Sequence, residues 1–219
     1  MSALSGATPA APDTDEMELF STYFSRAPMA TANVMSCVQI TWYLHELGVK
    51  CKISDVKADA DAAKRNPSPS GKVPGFRDVV DGTPIELFES GAILMYLAEK
   101  YGHLDTPAKR ANLSQWLFFV QADLCPLIMR QDPSGKVTST ALGVNPPPRE
   151  LAALEKVLGE RAWLAGDELS AADVAAGTYL LYGKMMFADT DMSHLPNTAA
   201  YMERCRARPG YAVAWPTEP

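Results

Sequence analysis

VPGFRDVVDGTPIELFESGAILMYLAEKYG, Val73–Gly102, is the stretch that decides the fold. Val73–Val79 and Thr83–Glu89 are rich in strand-forming residues and flank Val80-Asp81-Gly82. An Asp-Gly pair between two such runs predicts a tight antiparallel hairpin. Ser90 then opens an uninterrupted helix that ends near Gly102. A hairpin running straight into a helix needs further strands beside it to bury its faces.

Those strands lie upstream. Met17–Ser25 mixes aromatic and β-forming residues, and Val49–Val56 alternates apolar and polar residues as a half-buried strand does. Between them a helix is expected from about Ala32 to Leu47, with Val34, Val38, Trp42 and Leu44–Leu47 facing a core and Gly48 as its stop. Ala58–Arg65 reads as a short helix, ended by Asn66-Pro67-Ser68-Pro69-Ser70-Gly71. The order is strand, helix, strand, helix, strand, strand, helix. A right-handed crossover makes the first two strands parallel, and the result is an α/β layer over residues 17–102. Residues 1–16 are small and Pro-containing, with neither the apolar core of a signal peptide nor the Arg-rich face of a transit peptide, and read as a disordered tail.

After Leu104 the pattern turns helical, so residues 103–219 are expected to form an all-helical domain without strands. Asn112–Met129 and Arg149–Gly166 are helical runs. Asp132–Pro148, with Gly135, Gly143 and Pro146-Pro147-Pro148, is expected to be an open or mobile loop after a shortened helix. Ser170 and Asp173 read as a capping-box variant, which explains Asp173 as a cap rather than a catalytic acid. The nearly all-apolar helix that follows should be central. A last helix is expected to end at Pro209. Trp116, Phe118, Phe119 and Tyr179–Tyr182 are helix-spaced and read mainly as core, with one or two left for an apolar acceptor pocket.

The composition narrows the function. Of 219 residues, 47% are apolar and 21% charged, a balance that supports a sizeable buried core. Twenty basic against 26 acidic side chains give a net charge of −6, which argues against a nucleic-acid partner. No apolar run approaches a membrane span. The four cysteines (Cys37, Cys51, Cys125, Cys205) form no Cys-x-x-Cys pair and have no His cluster beside them, so neither a disulfide scaffold nor a metal site is expected. The setting expected is reducing and cytoplasmic.

NPSPSGKVPGF, ELFESGAILMYLAEKYG and LAGDELSAADVAAGTYL, in that order and spacing, resemble the soluble glutathione transferases over roughly Met17–Val213. WYLHELGV, RANLSQWLFF and the tail from Tyr179 look most like the chi-type transferases of photosynthetic microbes. The resemblance implies a thioredoxin-like domain followed by an all-helical domain, a homodimer, a detoxification role, and glutathione as co-substrate with no metal. It implies a cis Val73-Pro74 peptide, with the Val73 backbone pairing to the cysteinyl part of glutathione. Ser90 and the helix start would take the γ-glutamyl carboxylate, Glu89 the α-ammonium, and Lys72 a further carboxylate.

The reaction needs a donor aimed at the glutathione sulfur. Lowering the thiol pKa by ~2 units corresponds to ~2.7 kcal/mol of thiolate stabilisation. Anchoring from the first strand favours Ser25, with Tyr23 nearby; anchoring backwards from Gly48 brings Ser36 and Cys37 close and puts Met35 in the chi-type serine slot. Conjugation of glutathione to a small apolar electrophile is the leading expectation. The alternatives are a thiol transferase using a low-pKa Cys37 and a non-catalytic binding or assembly module.

Overall fold

A computed structural model describes residues 17–22, 32–102 and 104–215. Its centre is a four-stranded sheet in the order β2-β1-β3-β4, with β1 at Glu18–Ser21, β2 at Lys52–Asp55, β3 at Gly75–Val80 and β4 at Thr83–Phe88. β1 pairs parallel with β2 (Leu19 opposite Ile53) and antiparallel with β3 (Leu19 opposite Phe76). The β3–β4 hairpin turns through Asp81 (φ 51°) and Gly82 (φ 74°), the two positive dihedrals that a type I′ turn requires.

Alternation along β1 separates two faces. Leu19 enters the main core, whereas Phe20 faces the other side beneath the Arg77 guanidinium, 5.9 Å from its ring centre. Helix α1 (Ala32–Glu46) buries Met35, Val38, Ile40, Trp42 and Leu44. It closes in a Schellman motif: the Gly48 amide donates to the His45 carbonyl at 3.0 Å and the Val49 amide to Leu44 at 2.9 Å. Asp59 caps the short α2 (Ala60–Arg65), and α3 (Ser90–Tyr101) buries Ile93, Leu94, Leu97 and Ala98.

The rest is helical except for one small hairpin. Thr106 caps α4 (Pro107–Phe119), which continues through a π-helical turn (Val120–Leu124) into α5 (Cys125–Ile128). The expected absence of strands is corrected here: β5 (Arg130–Gln131) and β6 (Val137–Ser139) pair antiparallel. Asp132 makes that possible, its carboxylate accepting from the Ser134 amide at 2.8 Å and the Lys136 amide at 3.2 Å. Nor is the Asp132–Pro148 stretch an open loop. Ala141 and Leu142 are fully buried, and the Ala141 amide bonds the Leu127 carbonyl at 2.9 Å.

Helices α6 (Arg149–Glu160), α7 (Ala171–Met186), α8 (Pro196–Arg206) and α9 (Pro209–Ala214) complete the fold. Every residue of α7 from Ala171 to Gly183 is buried, and the Ser170–Asp173 capping box is present. Helix α9 goes beyond the expected end at Pro209. It packs on α1 through Glu46, whose side chain is 7% exposed. That carboxylate accepts from Trp42 Nε1 at 3.0 Å, the Gly210 amide at 3.1 Å and Arg208 Nη2 at 2.6 Å. One continuous core joins the α/β and helical parts.

Burial alone would raise the Glu46 pKa, but the bonds from Arg208, Trp42 and Gly210 hold it below the ordinary value. A depressed carboxylate stabilises the fold above its unfolded pKa and loses that contribution as the pH falls through the folded value. Glu46→Gln should therefore cost about 2 kcal/mol at neutral pH. The gap to the unaltered protein should close on acidification below the ordinary carboxylate range, which denaturant titrations from pH 7 to pH 3 would show.

Candidate active site

The loop before β3 and the start of α3 converge on one polar cavity of about 140 Å³. The loop is braced by Asn66, whose Nδ2 donates to the Lys72 carbonyl at 3.1 Å and whose Oδ1 accepts from the Ser68 amide at 3.2 Å. Gly75 permits this: a Cβ there would lie 2.0 Å from Asn66 Oδ1. Val73-Pro74 is cis. Lys72, Val73 and Pro74 form one wall, with Ser68 beside them.

Opposite stands the turn from β4 into α3. Glu89 has φ 70° and ψ 121°, a conformation unusual for a residue with a Cβ, and it makes no side-chain cap. Ser90 is the first helical residue and is 5% exposed. First-turn amides of a helix lack intrahelical acceptors and carry the positive end of its dipole, so a carboxylate is favoured there. Glu89 and Lys72 both line the cavity, and their charges are of the signs that complement an ammonium and a second carboxylate. The site suits a short zwitterionic peptide.

The cavity brings together Lys72, Val73, Pro74, Glu89, Ser90 and Ser36 among the residues expected from sequence. Ser25 and Tyr23 lie outside the described residues. Ser36 sits inside α1, and its Oγ is 3.4 Å from the Tyr179 hydroxyl. Met35, in the alternative serine slot, is fully buried in the core.

Cys37 departs from the expectation of a reactive thiol. It is 3% exposed, against Ser21 and Thr22, and burial pushes its pKa up to about 11. A nucleophilic cysteine needs the opposite shift. Burial likewise raises Cys51 to about 12, and raises Cys125 and Cys205. None of the chain's four thiols is poised as a thiolate.

Two contributors escaped the sequence reading. Gln121 lines the cavity from the π-helical turn, and its Nε2 donates to Ser90 Oγ at 3.3 Å. The available signal was a lone amide inside the apolar run LFFVQADL. Tyr179, read as core, is 2% exposed but donates to Gln121 Oε1 at 3.2 Å. Phe118, one of the helix-spaced aromatics of which one or two are left for an apolar pocket, is 72% exposed. It lies over an apolar groove of about 400 Å³ between α3 and α4, lined also by Ala92, Met95 and Leu117.

Among the described residues no three His, Cys, Asp or Glu side chains gather as metal ligands, and no helix is long and apolar enough to cross a membrane.

Residues 32–99 match the family model "Glutathione S-transferase, N-terminal domain", and residues 120–209 match "Glutathione S-transferase, C-terminal domain". Disulfide-bond oxidoreductase YfcG of Escherichia coli (strain K12) is 31% identical over 158 residues, 67% of this chain and 73% of that protein. Disulfide-bond oxidoreductase YghU of the same strain is 34% identical over 117 residues, 49% of this chain and only 40% of YghU. A solved glutathione transferase family member from Pseudomonas fluorescens pf-5, with two glutathione bound, shares the fold. Its TM-score is 0.71 at 23% identity, over 91% of this chain and 92% of that one.

Proposed function

The chain belongs to the glutathione transferase superfamily, and from that premise we propose a glutathione-dependent enzyme whose nucleophile is the thiolate of bound glutathione. The polar cavity carries this reading, because its wall has complementary groups for each polar end of that peptide. Ser90 and the α3 amides take the glutamyl carboxylate, Glu89 the ammonium, and Lys72 the glycyl carboxylate. Val73 meets the cysteinyl backbone. The raised pKa values of the chain's own cysteines support assigning the reacting sulfur to the ligand.

Conjugation is the reaction we propose first. The thiol proton leaves to solvent, the sulfur forms a bond to an electrophilic carbon, and the leaving group departs with its electron pair. Ser25 and Ser36 are the hydroxyls proposed to face the sulfur. Ser36 Oγ shares a hydrogen bond with the Tyr179 hydroxyl at 3.4 Å. Ser25, which follows the first strand, is preferred as the thiolate donor.

A second reading is favoured by the names of YfcG and YghU: the acceptor is a disulfide. Glutathione thiolate would attack one sulfur and release a thiolate, and a second glutathione would resolve the mixed disulfide to oxidised glutathione. Mass analysis of products separates the two. An activated aryl halide should yield the thioether under the first reading. Accumulation of oxidised glutathione from a small disulfide, with no thioether formed, would establish the second, and inertness with both would remove the enzymatic reading.

The chi-type subclass is proposed on WYLHELGV, RANLSQWLFF and the tail from Tyr179. The exposed Phe118 and its groove support a homodimer, which a two-chain mass in sedimentation equilibrium would verify. A reducing, cytoplasmic setting accords with four free cysteines, and a detoxification role with the conjugation reading.

A further inference from the structure

We propose that Gln121 is a ligand of the glutathione carboxylate at the start of α3, supplied by the helical part of the same chain, and that Tyr179 is the positioning residue that aims it. This rests on the glutathione reading above. Three observations lead to it.

Gln121 lies in the π-helical turn that interrupts α4 and α5, and π turns inside α-helices are rare and concentrate at functional sites. The turn places Gln121 in the wall of the cavity, beside Ser90.

The amide can be set in either of two orientations, and the Tyr179 hydroxyl selects one. That hydroxyl has two lone pairs and one proton. Gln39 Nε2 donates to it at 3.3 Å, Ser36 Oγ lies 3.4 Å away and the Cys125 thiol is a further neighbour. Its proton goes to Gln121 Oε1, 3.2 Å away, an oxygen that can only accept. With its oxygen so engaged, Gln121 must turn its NH2 group towards Ser90, where Nε2 lies 3.3 Å from Oγ.

The NH2 group has two protons. One meets Ser90, and the other is available to an anion seated on the same helix start. Tyr179 has no contact with that anion and acts only through Gln121. The chain Ser36–Tyr179–Gln121–Ser90 thus crosses from α1 through α7 to α3 and ties both parts of the protein to one ligand.

Calorimetric titration of the full chain with glutathione, and with the analogue lacking the γ-glutamyl α-carboxylate, tests the inference. Gln121→Met keeps the side-chain length and removes the amide. It should weaken glutathione binding about tenfold, the size of one hydrogen bond to a charged group. Binding of the decarboxylated analogue should stay within about twofold of the unaltered protein, since the group that Gln121 contacts is gone. Tyr179→Phe should show the same selectivity with a smaller loss, and Gln121→Met alone decides the matter if that variant does not fold. Equal weakening of both ligands, or an unchanged affinity for glutathione, would overturn the assignment while leaving the glutathione reading intact. No binding of glutathione by the unaltered protein would overturn both.

Discussion

Asp173→Ala should lower the free energy of unfolding by about 4 kcal/mol, the largest stability loss expected of any single substitution outside the apolar core. The carboxylate is fully buried at the start of α7. It accepts from the Leu164 amide at 2.7 Å, the Ser170 amide at 2.9 Å, Ser170 Oγ at 2.6 Å and the Tyr201 hydroxyl at 3.0 Å. Truncation strands these donors together, and each buried donor left without a partner costs about 1–3 kcal/mol. Ser170→Ala removes only the cap hydroxyl and should cost about 1 kcal/mol. For a chain of this size the Asp173 change corresponds to a fall in Tm of about 10 °C. Urea unfolding would check it, and a loss below about 1 kcal/mol would show that the network contributes little. The protein that remains folded should still bind glutathione, because Asp173 serves the helix and not the cavity.

Ser90→Ala should have the converse profile, with binding damaged and folding spared. Its hydroxyl stands at the first turn of α3 in the cavity, where the proposed carboxylate sits. A hydrogen bond to a charged group contributes about 1.5–3 kcal/mol, so the KM for glutathione should rise about 10- to 100-fold. Alanine is the best helix former, which limits the stability cost to a few tenths of a kcal/mol. Steady-state kinetics with varied glutathione, set beside thermal unfolding, would show the split. A KM within twofold of the unaltered enzyme would remove Ser90 from the site.

The parts of this protein readable from sequence are those controlled by local chemistry. Asp81-Gly82 announces its turn because few other residue pairs accept two positive φ values, and Ser170 with Asp173 announces a helix start through side chains three positions apart. Pro74 and Ser90 could be placed in the site because each lies at the edge of an element that local patterning defines. What escaped depends on distant partners. The stretch after the β5–β6 hairpin is seated by a bond between Ala141 and Leu127, and α9 is held by Glu46, more than 160 positions away in the chain. Gln121 escaped for the same reason. A π turn has no composition of its own, and the value of that amide is apparent only when Tyr179 and Ser90 stand on either side of it. Tyr179 looks like any core aromatic until its hydroxyl is traced. Which of the helix-spaced aromatics would leave the core was not legible, since an apolar residue on a helix reads alike whether it faces the interior or, as Phe118 does, an outer groove.

The central claim is that this chain binds glutathione and holds it as the thiolate. The direct measurement is an ultraviolet difference titration of glutathione against the protein, following the thiolate band from pH 5 to pH 9. The account predicts a saturable signal whose midpoint lies about two units below that of the free thiol, with Ser25→Ala moving it back up. Saturable binding with the midpoint of free glutathione would contradict the activated thiolate, and no saturable signal would contradict the site itself.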